Sequence, residues 1–157
     1  EKEKSKAVGL YYSHFADKHI EVDKEHHFDD PKAGHRALVL SEGTGWYTPS
    51  GIDDSLKRTL THEFGHHLDY TLSNADREKV LDKIGPEIGL DARKPGEDLE
   101  KWIARNKAKI VNNVGTYAAT NDRELVAELW TEYAGKGKAA RPAARILGEY
   151  LKGKLAK

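Results

Sequence analysis

"LTHEFGHHLDY", residues 60–70, sets His62 and His66 four apart with Glu63 between them. On an α-helix that spacing projects both imidazoles from one face on adjacent turns. It is also the separation at which two imidazoles reach one zinc ion at about 2.0–2.1 Å. Glu63 sits one step, about 100°, round the helix from His62, where a carboxylate can take a proton from a metal-activated water. The flanks support a helix. Asp53 and Asp54 offer an N-cap ahead of Ser55. Leu56, Leu60, Phe64, Leu68 and Leu72 then recur every four residues, which predicts a helix from about 52–55 to 73–74. Its apolar stripe is expected to leave the His62/His66 edge free for a cleft. Gly65 costs such a helix roughly 1 kcal/mol relative to alanine, which points to another element packed close to the backbone there.

Upstream of this helix the patterns are those of strands. "AVGLYY", 7–12, is a short β-prone run, and "HIEVD", 19–23, alternates apolar and polar residues. "KEHHFDDPKAGH", 24–35, reads as a polar loop closed by Pro31 and Gly34. "RALVLSEG", 36–43, reads as the strongest strand, followed by the turn-rich "TGWYTPSG" at 44–51. Downstream the periodicity is helical. Helices are expected at 74–90, stopped by Gly85-Pro86, at 97–112 and at 122–134. After the linker "GKGK", a last helix at 141–155 has Pro142 in its first turn. Strands followed by helices predict an α+β domain.

At 157 residues the chain fits one domain able to bury a core without disulfides. Its 26 basic residues balance 26 acidic ones, so no global field favours nucleic acid or an anionic membrane. The basic stretch 136–157 reads as a solvated helix face. No cysteine is present, which excludes thiolate ligands and cysteine nucleophiles. No run reaches the ~18 apolar residues of a membrane span, and no signal-like segment opens the chain. The expectation is a soluble monomeric domain whose localisation is not readable. Because the chain lacks methionine, it is expected to be cut from something longer.

Two histidines do not complete a catalytic zinc site, which needs a third protein ligand and an open position for water. A histidine six residues beyond His66 is not available: Leu72 stands there, with Asp69 at the position where that pattern has glycine. An aspartate from a "GTxDxxYG" stretch is also absent. "RELVAELW" remains, with Glu124 and Glu128 on one face of the 122–134 helix. One can ligate zinc while the other hydrogen-bonds a ligating imidazole. Leu125, Val126, Leu129 and Trp130 crowd the same turns, so the helix is expected to be buried, and buried carboxylates want a partner.

"HEFGH" at 62–66, followed by Tyr117, Glu124 and Glu128 in the pattern Y-x6-E-x3-E, resembles the gluzincin zinc metallopeptidases. It most resembles the branch containing the anthrax lethal factor catalytic domain and the Pro-Pro endopeptidases, whose ligating glutamate opens an E-x-x-A-E helix. The resemblance spans about residues 36–135 and rests on two motifs in the right order. It implies a zincin-like fold, with a small N-terminal β-sheet followed by a mainly helical part. It also implies His62, His66 and Glu124 as zinc ligands, Glu63 as general base and Tyr117 as electrophilic helper, with Glu128 behind the ligands. "HEFGHHL" is similar as well to regulatory metallopeptidases that cleave phage repressors. Comparable metal-motif domains occur in phage structural proteins and bacterial toxins.

The function expected is zinc-dependent endopeptidase activity on a peptide or protein substrate. Glu63 would take the proton of the attacking water and return it to the leaving amine. Tyr117 would donate its hydroxyl to the oxyanion. Substrate is expected along the edge of the 36–41 strand, with Trp46 and Tyr47 as aromatic walls. A non-catalytic zincin-fold module of a larger phage or toxin assembly is the alternative, and Glu63 argues against it. His26, His27 and His35 are read as a solvated polar loop rather than a second metal site, and His67 as packing or support for the first.

Overall fold

The computed structural model describes residues 9–12 and 19–156. It overturns the α+β expectation, because the chain is mainly helical. The strands among the described residues are β1 (Gly9–Tyr12) and β2 (His19–Val22). They form an antiparallel ribbon in which Gly9 faces Val22 and Tyr12 faces His19, too small to make a layer of its own. Ala7 and Val8 of the β-prone run lie outside the described residues.

The largest departure is at residues 31–43. "RALVL", read as the best strand, lies inside helix α1 (Pro31–Gly43). A short apolar run fits either conformation, so its flanks decide. The Asp30 side chain accepts from the Ala33 backbone N–H at 2.9 Å, and Pro31 occupies the first helical position. The segment taken for a loop closure is therefore a helix start. Leu38 is buried, while Val39 and Leu40 face outward. A π-type turn at Glu25–Asp29 precedes α1.

Helix α2 (Ser55–Tyr70) begins where its acidic cap predicts, with Asp54 accepting from Lys57 N–H at 2.6 Å. Its leucine stripe does not stay on one face. Steps of four residues advance about 400° around a 3.6-residue helix, so the stripe drifts by about 40° each time. Leu68 and Leu72 reach the core, whereas Leu60 and Phe64 are 40% and 41% exposed.

Helix α3 (Asn74–Ile84) is capped by Ser73 and leads into a 3-10 turn at Pro86–Ile88. The single helix expected at 97–112 is two: α4 (Leu99–Arg105) and α5 (Lys107–Asn113). Buried Asn106 separates them, donating its side-chain amide to Trp102 O at 3.0 Å and accepting from Asp91 N–H at 2.9 Å. Helix α6 (Asp122–Lys136) follows a 3-10 turn at Tyr117–Ala119. Half of the expected linker "GKGK" belongs to α6, and the rest to a 3-10 turn at Gly137–Ala139. Helix α7 (Pro142–Leu155) closes the domain.

The core is built around α6, whose residues 125–133 are all buried. Val80, Leu81 and Ile84 of α3, Trp102 and Ile103 of α4, Ile110 of α5, and Leu147 and Leu151 of α7 surround it. Helix α2 crosses α6 where Gly65 meets Ala127, the close approach its glycine foreshadowed. Among the described residues, no helix is long and apolar enough to cross a membrane.

Candidate metal centre

Helices α2 and α6 supply the side chains that converge at their crossing. Asn121 caps α6 by accepting from Glu124 N–H at 2.9 Å, which places Glu124 in the first helical turn. Its Oε2 lies 3.0 Å from His62 Nε2 and 3.3 Å from His66 Nε2. The two imidazole rings stand nearly perpendicular, 4.9 Å apart. Among the described residues, His62, His66 and Glu124 are the one group of His, Asp and Glu side chains whose ligand atoms gather, all within 4.8 Å of one another.

These separations match the chemistry of a tetrahedral ion. Bonds of 2.0–2.1 Å place neighbouring ligand atoms about 3.3 Å apart. The donor set, two imidazoles and a carboxylate, is one that zinc enzymes use with a position left open. His62 is nearly buried, whereas His66 and Glu124 retain partial exposure, so the centre is reached from their side.

Glu128, one turn along α6, sits behind His62. Its Oε1 lies 2.9 Å from His62 Nδ1, close enough to orient the ring although the angle is poor for a linear hydrogen bond. The same carboxylate accepts from Arg58 Nη2 at 2.9 Å on both oxygens and from Thr48 N–H at 2.7 Å. Burial alone would raise its pKa, but His62 and the Arg58 charge outweigh burial and hold Glu128 below its ordinary value. Burial alone would likewise depress His62. Its contacts with Glu124 and Glu128 prevail and raise the imidazole to about 9. Glu124 responds in the opposite sense: hydrogen bonds to His62 and His66 overcome burial and lower it to about 2. The two carboxylates thus favour positive charge at His62.

Glu63 is 6% exposed and lies under the ribbon, where a methyl group on Gly9 would stand 3.1 Å from its Oε1. Tyr117 borders the centre, its ring 5.6 Å from that of His62. Burial pushes its hydroxyl above the ordinary value, and the charges of Glu124 and Glu63 add to this. Two backbone hydrogen bonds fix it: Thr116 N–H donates to Gly45 O and Tyr117 N–H to Trp46 O, both at 2.9 Å. They bring Trp46 and Tyr47 to the same wall, with ring centroids 6.1 and 5.5 Å from that of Tyr117. Trp46 is 47% exposed.

The structure therefore brings His62, His66, Glu124, Glu128, Tyr117, Trp46 and Tyr47 together. The substrate edge expected at 36–41 does not exist, because those residues form a turn of α1 after turn with their backbone bonds inside the helix. His27 and His35 have separate contacts: His27 Nδ1 lies 3.4 Å from Ser55 Oγ, and His35 Nδ1 donates to Asp53 O at 2.7 Å. The side chain of His26 lies outside the described part. His67 stacks on Phe64, and Asp69 is buried between Arg77 and Arg123. Sequence reasoning missed Arg58 and Thr48. Arg58 carried a signal, since it precedes His62 by four residues and so shares its helix face. Comparison with family models, curated proteins and solved structures returned no match.

Proposed function

We propose that this chain is a zinc-dependent endopeptidase in which His62, His66 and Glu124 hold the ion. The observation that carries the reading is the approach of His62 Nε2 and His66 Nε2 to one oxygen of Glu124 across two helices. The residues implied by the resemblance to gluzincins supply the remaining roles. Zinc, when bound, contributes Lewis acidity that polarises a carbonyl and makes water a better nucleophile. Glu63 accepts the proton of the attacking water and delivers it to the leaving amine. Its place one residue from His62 in the sequence is the one the motif gives to a general base, and its charge reaches Tyr117. Tyr117 keeps its hydroxyl proton at neutral pH and donates a hydrogen bond to the developing oxyanion. Trp46 and Tyr47 offer aromatic surface for a peptide or protein substrate.

Metal content and cleavage of a mixed peptide library, measured for wild type and Glu63→Gln, test this reading. One zinc per chain in both and cleavage by wild type alone is the expected result. A wild type that takes up no zinc overturns it. A zinc-loaded wild type that cleaves nothing also overturns it, in favour of a non-catalytic module of a larger assembly.

A further inference from the structure

Arg58 is 4% exposed and sits one helical turn before His62. Its guanidinium makes three kinds of contact at once. Nη2 donates to both oxygens of Glu128 at 2.9 Å. Nε lies 3.4 Å from Glu42 Oε1, which also accepts from Ser50 N–H at 3.0 Å and from Ser50 Oγ at 2.7 Å. The guanidinium carbon stands 4.0 Å from the centroid of the Tyr47 ring. Tyr47 in turn meets Tyr117 edge-on, and Glu128 reaches His62 Nδ1. One buried cation therefore touches both the group behind a candidate ligand and the aromatic wall in front of it.

We propose that Arg58 is the positioning residue of this centre, holding Glu128 so that Glu128 orients the His62 ring and holding Tyr47 so that it backs Tyr117. The metal part of this inference rests on the zinc reading above. Three physical facts support it. A carboxylate with no solvent exposure is costly to bury alone, and Arg58 is the permanent positive charge hydrogen-bonded to Glu128. Groups behind a ligating imidazole fix its orientation, and losing one typically weakens metal binding about 10- to 100-fold. A guanidinium is planar and forked, so it can bond a carboxylate along its edge while stacking on a ring with its face. An ammonium on a flexible stem can supply the charge but not that combination.

The test uses wild type, Arg58→Lys, Arg58→Met, Glu128→Gln and the double variant Arg58→Met/Glu128→Gln. Zinc affinity is read by chelator competition, and the ring nitrogens of His62 are read by NMR in metal-free protein. Arg58→Met should weaken zinc about 10- to 100-fold, with partial recovery in Arg58→Lys. In the Glu128→Gln background, the same change should cost less than about threefold, because its route to His62 is already gone. The His62 ring resonances should move in Arg58→Met while those of His35 stay in place. Unchanged His62 resonances overturn the proposal, as does a full zinc loss repeated in the Glu128→Gln background. Should Arg58→Met fail to fold, Arg58→Lys gives the same two readouts with the charge retained. A wild type without zinc removes the metal reading alone, since the His62 resonances still decide the role of Arg58.

Discussion

Gly65 of α2 lies so close to Ala127 of α6 that a methyl group on Gly65 would stand 3.0 Å from Ala127 Cα and 3.1 Å from Trp130 Cδ1. This contact lies one residue from His66 and sets the depth at which α2 meets the helix carrying Glu124. Gly65→Ala gains about 1 kcal/mol of helix propensity but overpacks the crossing, at a cost of about 1–3 kcal/mol. The expected outcome is a net loss of stability in urea unfolding of the metal-free protein. Zinc affinity should also fall, by about tenfold, as the ligands part. A variant as stable and as zinc-avid as wild type would show that the crossing tolerates a methyl.

Glu124 and Glu128 are one turn apart yet differ in what they face. Glu124→Ala removes the oxygen shared by both Nε2 atoms and should abolish stoichiometric zinc binding. Glu128→Ala leaves both Nε2 atoms with Glu124 but removes the group behind His62, along with the acceptor of Arg58 and Thr48 N–H, and should weaken zinc about 10- to 100-fold. Chelator competition on the two variants checks this, and the opposite ranking would transfer the ligand role to Glu128.

Tyr117→Phe keeps the ring against His62, Trp46 and Tyr47 but removes the hydroxyl. Loss of one oxyanion donor should lower kcat about 10²- to 10³-fold with KM and zinc content nearly unchanged. Trp46→Ala should act on KM instead. Steady-state kinetics on one cleaved peptide separates the two, and an unaltered kcat in Tyr117→Phe removes that residue from the chemistry.

The sequence made α2 readable because it carries a local start signal, Asp54, ahead of a long periodic stretch, whereas α6 shows as an apolar stretch that the structure caps with Asn121. Helix α1 is harder to read because the four apolar residues 37–40 fit a strand and a helix equally, while its start signal, Asp30-Pro31, also looks like a turn. The leucines of α2 misled for a different reason: regular four-residue spacing is not a constant face, and Leu60 and Phe64 turned outward. Arg58 escaped notice because arginine is ordinarily a surface residue, and only the crossing of α6 encloses it. Asn106 broke a helix through side-chain bonds to backbone groups that composition does not reveal.

Asp76 ties α3 to α7, accepting from Lys154 Nζ and Tyr150 OH at 2.8 Å each. Lys154, then Tyr150 and Ser73, lower its carboxyl from 3.8 to about 2. A folded-state value below the unfolded one means that the clamp contributes in full above about pH 4 and is lost as pH falls through about 2. Asp76→Asn should therefore be less stable than wild type at pH 7, with the gap narrowing from pH 4 to pH 2. Urea midpoints at pH 7, 4 and 2 measure it, and a gap independent of pH would assign the effect to something other than this charge.

His62 and Glu124 meet across a separation of 62 residues. Closing a flexible loop of that length costs on the order of 4 kcal/mol of chain entropy, so the unfolded chain does not hold the two side by side. An isolated α2 would present the histidine pair without its carboxylate. The three side chains come together only where α6 packs on α2. On the zinc reading, capture of the ion by all three side chains would be a late event in the life of the chain. Its rate after dilution from denaturant would time the docking of α6 onto α2 and make the ion a clock for assembly.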